Sequence, residues 1–520
     1  MRMHRTVLPA LLMACACSAD VGLEVDLERP AGSASIQRLA WSKSDFRAGI
    51  ENRVGALEWG DDGTLFVAAM AEAPDGETTA QLVRFARDGA RLWTADLDPD
   101  DAVFELGIPE PSDDIHIFYK DVSIGAVDVA GDGSAVVAVN ASVAYAGHAN
   151  GSASSGGEAA RSFLRRYDPE GGLIDTIRLG GDGGGVADDG TGGDVAGDIV
   201  DLNSVRLLED GSAVWSGHAI TGTLAGPDLV PVAEGAIGRV SADGEQLWTI
   251  VLDQKLDLPD SSGPPEESAF DVHVTGDGGI VLRGVFSGKL VIGDRTASTD
   301  SRGSYVARMG RDGEVEWLRA FADSEPLGLI DIGNGIGMTP WGQIATMAVF
   351  SAQARPPDAP GGATCRAGDV CLAVLDADGE LAALSALDLP DIDTPSGTYE
   401  QLSPVGMTIA DDVVVVAGNG RIDVGTDDGD IVSWPEFLSL HDLAGNLLDA
   451  RGLGVARPPP GGLDGHAFAM APGPGGRVAV GGNFAGAADL GDGPVEVRHG
   501  ARSQGFVAVY EDVAEPVDVD

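Results

Sequence analysis

One pattern recurs along the whole of this 520-residue chain: an apolar run, a tight turn rich in Asp and Gly, and a second apolar run. The turns are Asp61-Asp62-Gly63, Gly131-Asp132-Gly133, Glu209-Asp210-Gly211, Gly276-Asp277-Gly278, Pro340-Trp341-Gly342, Asp411-Asp412 and Pro474-Gly475-Gly476. From the first to the last, the mean period is about 69 residues. The runs after the turns, such as Leu65-Phe66-Val67, Ile280-Val281-Leu282 and Val413 to Val416, favour strands. A second hairpin follows each first one. Leu82 to Phe85 leads to Asp88-Gly89 and Trp93, Ile237 to Val240 leads to Asp243-Gly244 and Trp248, and Tyr305 to Arg308 leads to Asp312-Gly313 and Trp317. Each unit therefore has four strands, termed A to D.

The seventh unit lacks its last strand, because no Gly-x-x-x-Trp follows Phe506 to Tyr510. Ile36 to Ser42, at the other end of the chain, reads as a fourth strand with its Trp, Trp41. The N-terminus is thus expected to complete the last sheet and close a ring, which removes exposed sheet edges. Composition agrees. The 75 glycines are about twice the usual share and disfavour helix interiors, while 43% hydrophobic residues are too many for a disordered chain.

These units resemble bacterial β-propeller repeats. Gly284-Val285-Phe286-Ser287-Gly288 and Gly482-Asn483-Phe484-Ala485-Gly486 match the middle of the family's blade, and Tyr305 to Trp317 matches its end. The resemblance covers residues 36 to 510 and implies an all-β fold: a seven-bladed β-propeller of four-stranded antiparallel blades, closed by the N-terminal strand. Blades two, five and six depart from the pattern, with Thr176, Ala383 and Asp449 near the place of the Trp. Their outer strands are expected to pack less tightly.

The first residues read as an address. Arg2, His4 and Arg5 precede an apolar stretch from Val7 to Ala14, too short to span a bilayer. Leu12-Met13-Ala14-Cys15 resembles a bacterial lipoprotein signal, which implies cleavage after residue 14 and acylation of Cys15; Cys17 is the weaker match. Residues 15–35 read as a flexible tether and 511–520 as an acidic tail. The absence of Asp at positions 16 and 18 favours the outer membrane over inner-membrane retention. In such an oxidising compartment Cys365 and Cys371 read as a small-loop disulfide.

The net charge of −49 should repel nucleic acid and anionic lipid. Membrane contact is then through the lipid alone. The A–B and C–D turns share one face and are short. The other face carries long connections, such as Thr94 to Lys120, Ala141 to Ala160 and Gly180 to Asp198, where ligands are expected. Asp182, Asp188, Asp189, Asp194 and Asp198 in the last of these are weak Ca²⁺ candidates, without the order of a calcium loop. Asp96-x-Asp98-x-Asp100 only begins like one. Asp271 and His273 alternate along one A strand and are placed to line the channel, with a structural role as the plainer reading. No His-Glu-x-x-His, Gly-x-Ser-x-Gly or complete phosphate loop occurs, and no catalytic residue is assigned. The Gly-x-x-x-Trp ends also resemble the docking motif of quinoprotein propellers, but the vicinal Cys pair of many of those enzymes is missing. The expected function is a monomeric, envelope-anchored binding or scaffolding module for a protein or polysaccharide, with a propeller hydrolase, lyase or quinoprotein as the alternative. No cofactor other than a possible Ca²⁺ is expected.

Overall fold

The computed structural model describes residues 36–46, 51–97, 115–147, 155–179, 199–221, 232–255, 268–326, 335–350, 365–389, 401–456, 466–497 and 501–513, apart from 37, 45, 74–76, 323, 367–368, 411, 427–428, 485–486, 491–493 and 512. Seven antiparallel sheets form the ring of a β-propeller. Blade 1 is typical: Glu51–Trp59, Leu65–Glu72, Thr78–Phe85 and Arg91–Leu97 are its strands A to D. The A strands of consecutive blades pack side by side around the axis.

Each blade is covered on both faces by its neighbours, and this explains the continuous apolar runs. Leu65, Val67 and Ala69 face blade 7, whereas Phe66, Ala68 and Met70 face blade 2, and all six are buried. A strand with two buried faces has no polar side to alternate with. Seven apolar clusters result, one at each junction between blades.

The junctions are keyed at their rims. Trp41, Trp93, Trp248 and Trp317 donate their indole N–H to the carbonyls of Arg87, Pro169, Arg311 and Ala377, at 3.1, 2.9, 3.0 and 3.0 Å. Every acceptor lies in the C–D turn of the next blade. The same four carbonyls also accept a guanidinium N–H, from Arg477, Arg84, Arg239 and Arg308 respectively. Three of these arginines pair in addition with the A–B turn aspartate of their own blade: Arg84 with Asp62 at 2.7 Å, Arg239 with Asp210 at 2.6 Å, and Arg308 with Asp277 at 2.5 Å. The glycine of each receiving turn is needed twice. Gly171 has φ +88°, and a Cβ there would stand 2.7 Å from Trp93 Cδ2.

The ring closes as the sequence predicts. Arg38–Lys43 pairs antiparallel with Gln504–Glu511, with Trp41 opposite Val509, and forms the outer strand of blade 7. Trp41 is buried, with its ring centroid 5.5 Å from that of Phe85 in blade 1. Val513 is also buried and its N–H donates to Gly476 O, so the ordered body reaches into the start of the expected acidic tail.

Several expectations change in detail. In blade 2 the register sets Asp175, not Thr176, opposite Arg166, where blades 1, 3, 4 and 7 carry Trp. The segment read as a loop between Ala141 and Ala160 is largely hairpin, with strands running to Gly147 and from Ser155. Gly284 to Lys289, one residue short of a phosphate-loop spacing, lies within strand Ile280–Ile292, and Gly288 has φ +75° at a register shift, which makes it a bulge. Cys365 and Cys371 are disulfide-bonded, as expected.

Two variants test the closure. Deleting residues 18–34 should leave the thermal midpoint unchanged. Deleting 18–44 removes Trp41 and exposes a sheet edge; loss of the buried Trp alone is worth about 3–5 kcal/mol, and the midpoint should fall with aggregation. Equal midpoints in scanning calorimetry would contradict closure by this strand.

Candidate functional site

The penultimate residue of each A strand sits at the same height in the ring, opposite the second residue of strand B. Read by register, these seven positions are Glu58, Asp128, Arg206, His273, Gly337, Ile409 and Pro472. Four consecutive blades thus carry an ionisable group, and three carry none. The fold does not demand the charges, because Gly, Ile and Pro close the same ring. Partial burial of ionisable groups is expensive unless they are paired.

The other three groups surround Arg206, which reaches from blade 3. Its Nη1 lies 3.8 Å from Glu58 Oε2 of blade 1, and the side chains of Arg206 and Glu58 are only 17% and 21% exposed. Asp128 of blade 2 accepts the Leu207 N–H at 2.5 Å, which fixes its carboxylate beside the same strand. Asp271 of blade 4 is fully buried; its Oδ1 is 3.4 Å from Ser204 Oγ. Its Oδ2 has no hydrogen-bond partner and stands 3.8 Å from His273 Nε2. Arg283, from the neighbouring strand of blade 4, lies behind and donates to Met347 O at 3.2 Å.

Desolvation dominates the electrostatics. It pushes Glu58 up to about 7, against the opposing pull of Arg206 and with a further rise from Asp128 and Asp271. It raises Asp271 to about 6, again opposed by Arg206 and Arg283, and it raises Asp128. His273 is driven down to about 3 by burial and then by the Arg206 charge, so its imidazole is neutral. Arg206 itself is raised by the three carboxylates despite its burial. The cluster is therefore a proton-sharing group near neutral pH, unlike the turn aspartates. Asp62, Asp132, Asp210 and Asp277 are all lowered, the last to about 2 by hydrogen bonds from Thr275 and Gly279.

Of the residues singled out in the sequence, Asp271 and His273 belong to this cluster. Cys15 and the aspartates Asp182, Asp188, Asp189, Asp194 and Asp198 lie outside the described residues, as do Asp98 and Asp100. Asp96 lies in an outer strand, paired with Gln81. Among the described residues no group of three metal-ligating side chains occurs. Glu58, Asp128 and Arg206 were missed, although each stands five residues before its turn glycine, as His273 does; aligning the units on that glycine exposes the row.

A second feature follows from the missing Trp of blade 2. A groove of about 630 Å³ opens there on the short-turn face, lined by Arg166, Pro169, Ile174 and Leu207. Arg166 still reaches blade 3, donating to Ala242 O, while Ile177 takes up the space beside Gly244. At this rim the arginine, which also donates to Gly211 O, bridges the blades without an indole beside it.

Stability linkage tests the cluster. Between pH 4.5 and 7 folded Glu58 holds a proton that the unfolded chain has lost, so its contribution to stability falls as pH rises. Glu58→Gln removes this dependence. The stability of the variant relative to the parent should rise across that window, by about 2 kcal/mol, in urea melts at pH 5 and 8. A pH-independent difference would contradict the raised proton affinity.

No family model and no curated protein matches this chain. Solved structures do. A polysaccharide lyase of family PL25, an ulvan lyase, matches with TM-score 0.40 and 10% identity over 86% of this chain and 94% of that one. Drosophila plexin A in complex with semaphorin 1b matches with TM-score 0.37 and 10% identity over 92% and 88%. A gluconolactonase from Xanthomonas campestris matches with TM-score 0.27 and 16% identity over 76% and 96%. At these identities the likeness concerns the fold alone.

Proposed function

We propose that the chain is an envelope-anchored propeller lipoprotein, held at the outer membrane by Cys15, that serves as a binding or scaffolding module for a protein or polysaccharide. The observation that carries this reading is the use of the first strand after the tether as a structural part of the ring. Ile36 N–H donates to Asp449 of blade 6 at 2.5 Å, and Arg38–Lys43 is sewn into blade 7. A lipid at Cys15 would then hold a rigid body rather than a loose domain. Some twenty residues of extended tether at ~3.4 Å each would let it stand tens of ångströms off the membrane.

The enzymatic alternative draws on one observation, the two channel carboxyls Glu58 and Asp271, raised toward neutral pH as a general acid requires. The loop-face carboxylates first considered for that role lie outside the described residues.

The anchor is tested by Cys15→Ser, which should abolish incorporation of radioactive fatty acid and leave an unprocessed precursor. Label that persists there and disappears in Cys17→Ser would move the anchor. The binding role is tested by affinity capture from detergent-solubilised envelope with identification by mass spectrometry. A stoichiometric envelope protein or glycan should be retained, and retention should survive Glu58→Gln. Turnover of an envelope polymer that is lost in Glu58→Gln would favour the enzyme instead.

A further inference from the structure

We propose that the groove between blades 2 and 3, on the short-turn face, takes an arginine side chain presented by a partner protein. The inference rests on the binding-module reading and narrows it to one partner chemistry; the lipid anchor plays no part in it.

The repeat itself shows what fits there. In blades 1, 3 and 4 the A–B turn aspartate is held in one pose. Asp62, Asp210 and Asp277 use Oδ1 to accept a hydroxyl and a backbone N–H of their own turn. Oδ2 takes a guanidinium Nη2, from Arg84 at 2.7 Å, Arg239 at 2.6 Å and Arg308 at 2.5 Å. Asp132 of blade 2 is held by its turn in the same way, its Oδ1 accepting the Ser134 N–H at 2.9 Å and the Ser134 hydroxyl at 2.6 Å. Its guanidinium has gone elsewhere. Arg166 occupies the register position of Arg84, Arg239 and Arg308, but it directs both terminal nitrogens into blade 3, Nη1 to Ala242 O and Nη2 to Gly211 O. Hydrogen bonds from Ser134 hold the Asp132 carboxyl below its usual range, with no cation contributing. A pose that meets arginine three times in this chain is thus kept in blade 2 while its arginine is withdrawn.

The withdrawal leaves space beside an accessible carboxylate. Asp132 and, from the A–B turn of blade 3, Glu209 both line the groove of about 630 Å³, and both are exposed. Pro169, Ile174 and Leu207 supply its apolar lining, and Ile174 is 59% exposed. The two carboxylates outnumber the one cation among the lining residues, Arg166, whose terminal nitrogens are already used. Arg84 of blade 1 comes up to Gly133 but spends all three of its nitrogens, on Thr64, Pro169 O and Asp62. Charge and shape therefore favour one occupant. An arginine brings a planar fork of donors for Asp132 and Glu209, and an apolar stem to cover Ile174 and Pro169. Lysine brings the charge as a single point, without the fork that Asp62, Asp210 and Asp277 each engage.

The full-length chain in detergent is titrated with the peptide acetyl-Gly-Arg-Gly-amide, followed by saturation-transfer NMR on the peptide, beside peptides with lysine or citrulline in place of the arginine. Saturable binding is expected for arginine, weakened by about tenfold in Asp132→Asn, and lost with citrulline, which keeps the shape without the charge. Asn retains the Oδ1 acceptor for Ser134, so the turn persists and only the charge is removed. Glu209→Gln should weaken binding in the same direction. Glu245→Gln, at an exposed carboxylate in the C–D turn of blade 3, should leave it unchanged. The proposal is overturned by no saturable binding, by citrulline or lysine bound as tightly as arginine, or by affinity untouched in Asp132→Asn. An equal loss in Glu245→Gln, the mark of diffuse attraction to a chain of charge −49, overturns it too. Full retention of an envelope protein by Asp132→Asn would remove this site and leave the binding-module reading standing.

Discussion

The register of the ring depends on a shared carbonyl between blades. In four of the seven junctions a single backbone oxygen in the C–D turn accepts both an indole N–H and an arginine N–H from the preceding blade. The apolar clusters between blades supply most of the burial, but apolar contact has no direction and would tolerate sliding of one sheet on the next. The shared carbonyl fixes the relative height of the blades, and a glycine with positive φ lets the indole lie flat against the turn. That same height aligns the penultimate A-strand residues, so the rim lock sets the geometry of the channel cluster.

The exceptions show how the lock is replaced. Between blades 2 and 3, Asp175 stands where Trp would be, and Arg166 bridges without it. Between blades 5 and 6, Ser385 packs against Gly445 and Asp388 N–H donates to Gly445 O. Between blades 6 and 7 a Trp would have nothing to dock on, because the outer strand of blade 7 arrives from the N-terminus and no C–D turn precedes it. Asp449 occupies the Trp position there and receives the Ile36 N–H instead. The loss of the repeat residue in blade 6 is thus a consequence of how the ring is closed.

The fold was legible because turn glycines and outer-strand tryptophans recur at fixed offsets, and each offset has a steric cause. The partner of Trp41 was legible for the same reason. Glu58, Asp128 and Arg206 were not, since each is one of several polar residues in its A strand and carries no signal by itself; only the ring brings the four blades to one point. Asp271 and His273 were noticed as an alternating pair, yet spacing does not tell that the first is wholly buried and the second partly exposed. The Asp-rich connection from Gly180 to Asp198 drew the eye by composition, whereas the described cluster lies near the short-turn face, at the ends of the A strands.

The account stands on the N-terminal strand being a full member of blade 7. Native-state hydrogen exchange measures this directly. The amides of Arg38–Lys43 that pair with Gln504–Glu511 should be protected to the same free energy as the outer strand of blade 1, Arg91–Leu97. Exchange of Arg38–Lys43 at the rate of an unstructured tether, with Arg91–Leu97 still protected, would contradict closure and the anchoring model built on it.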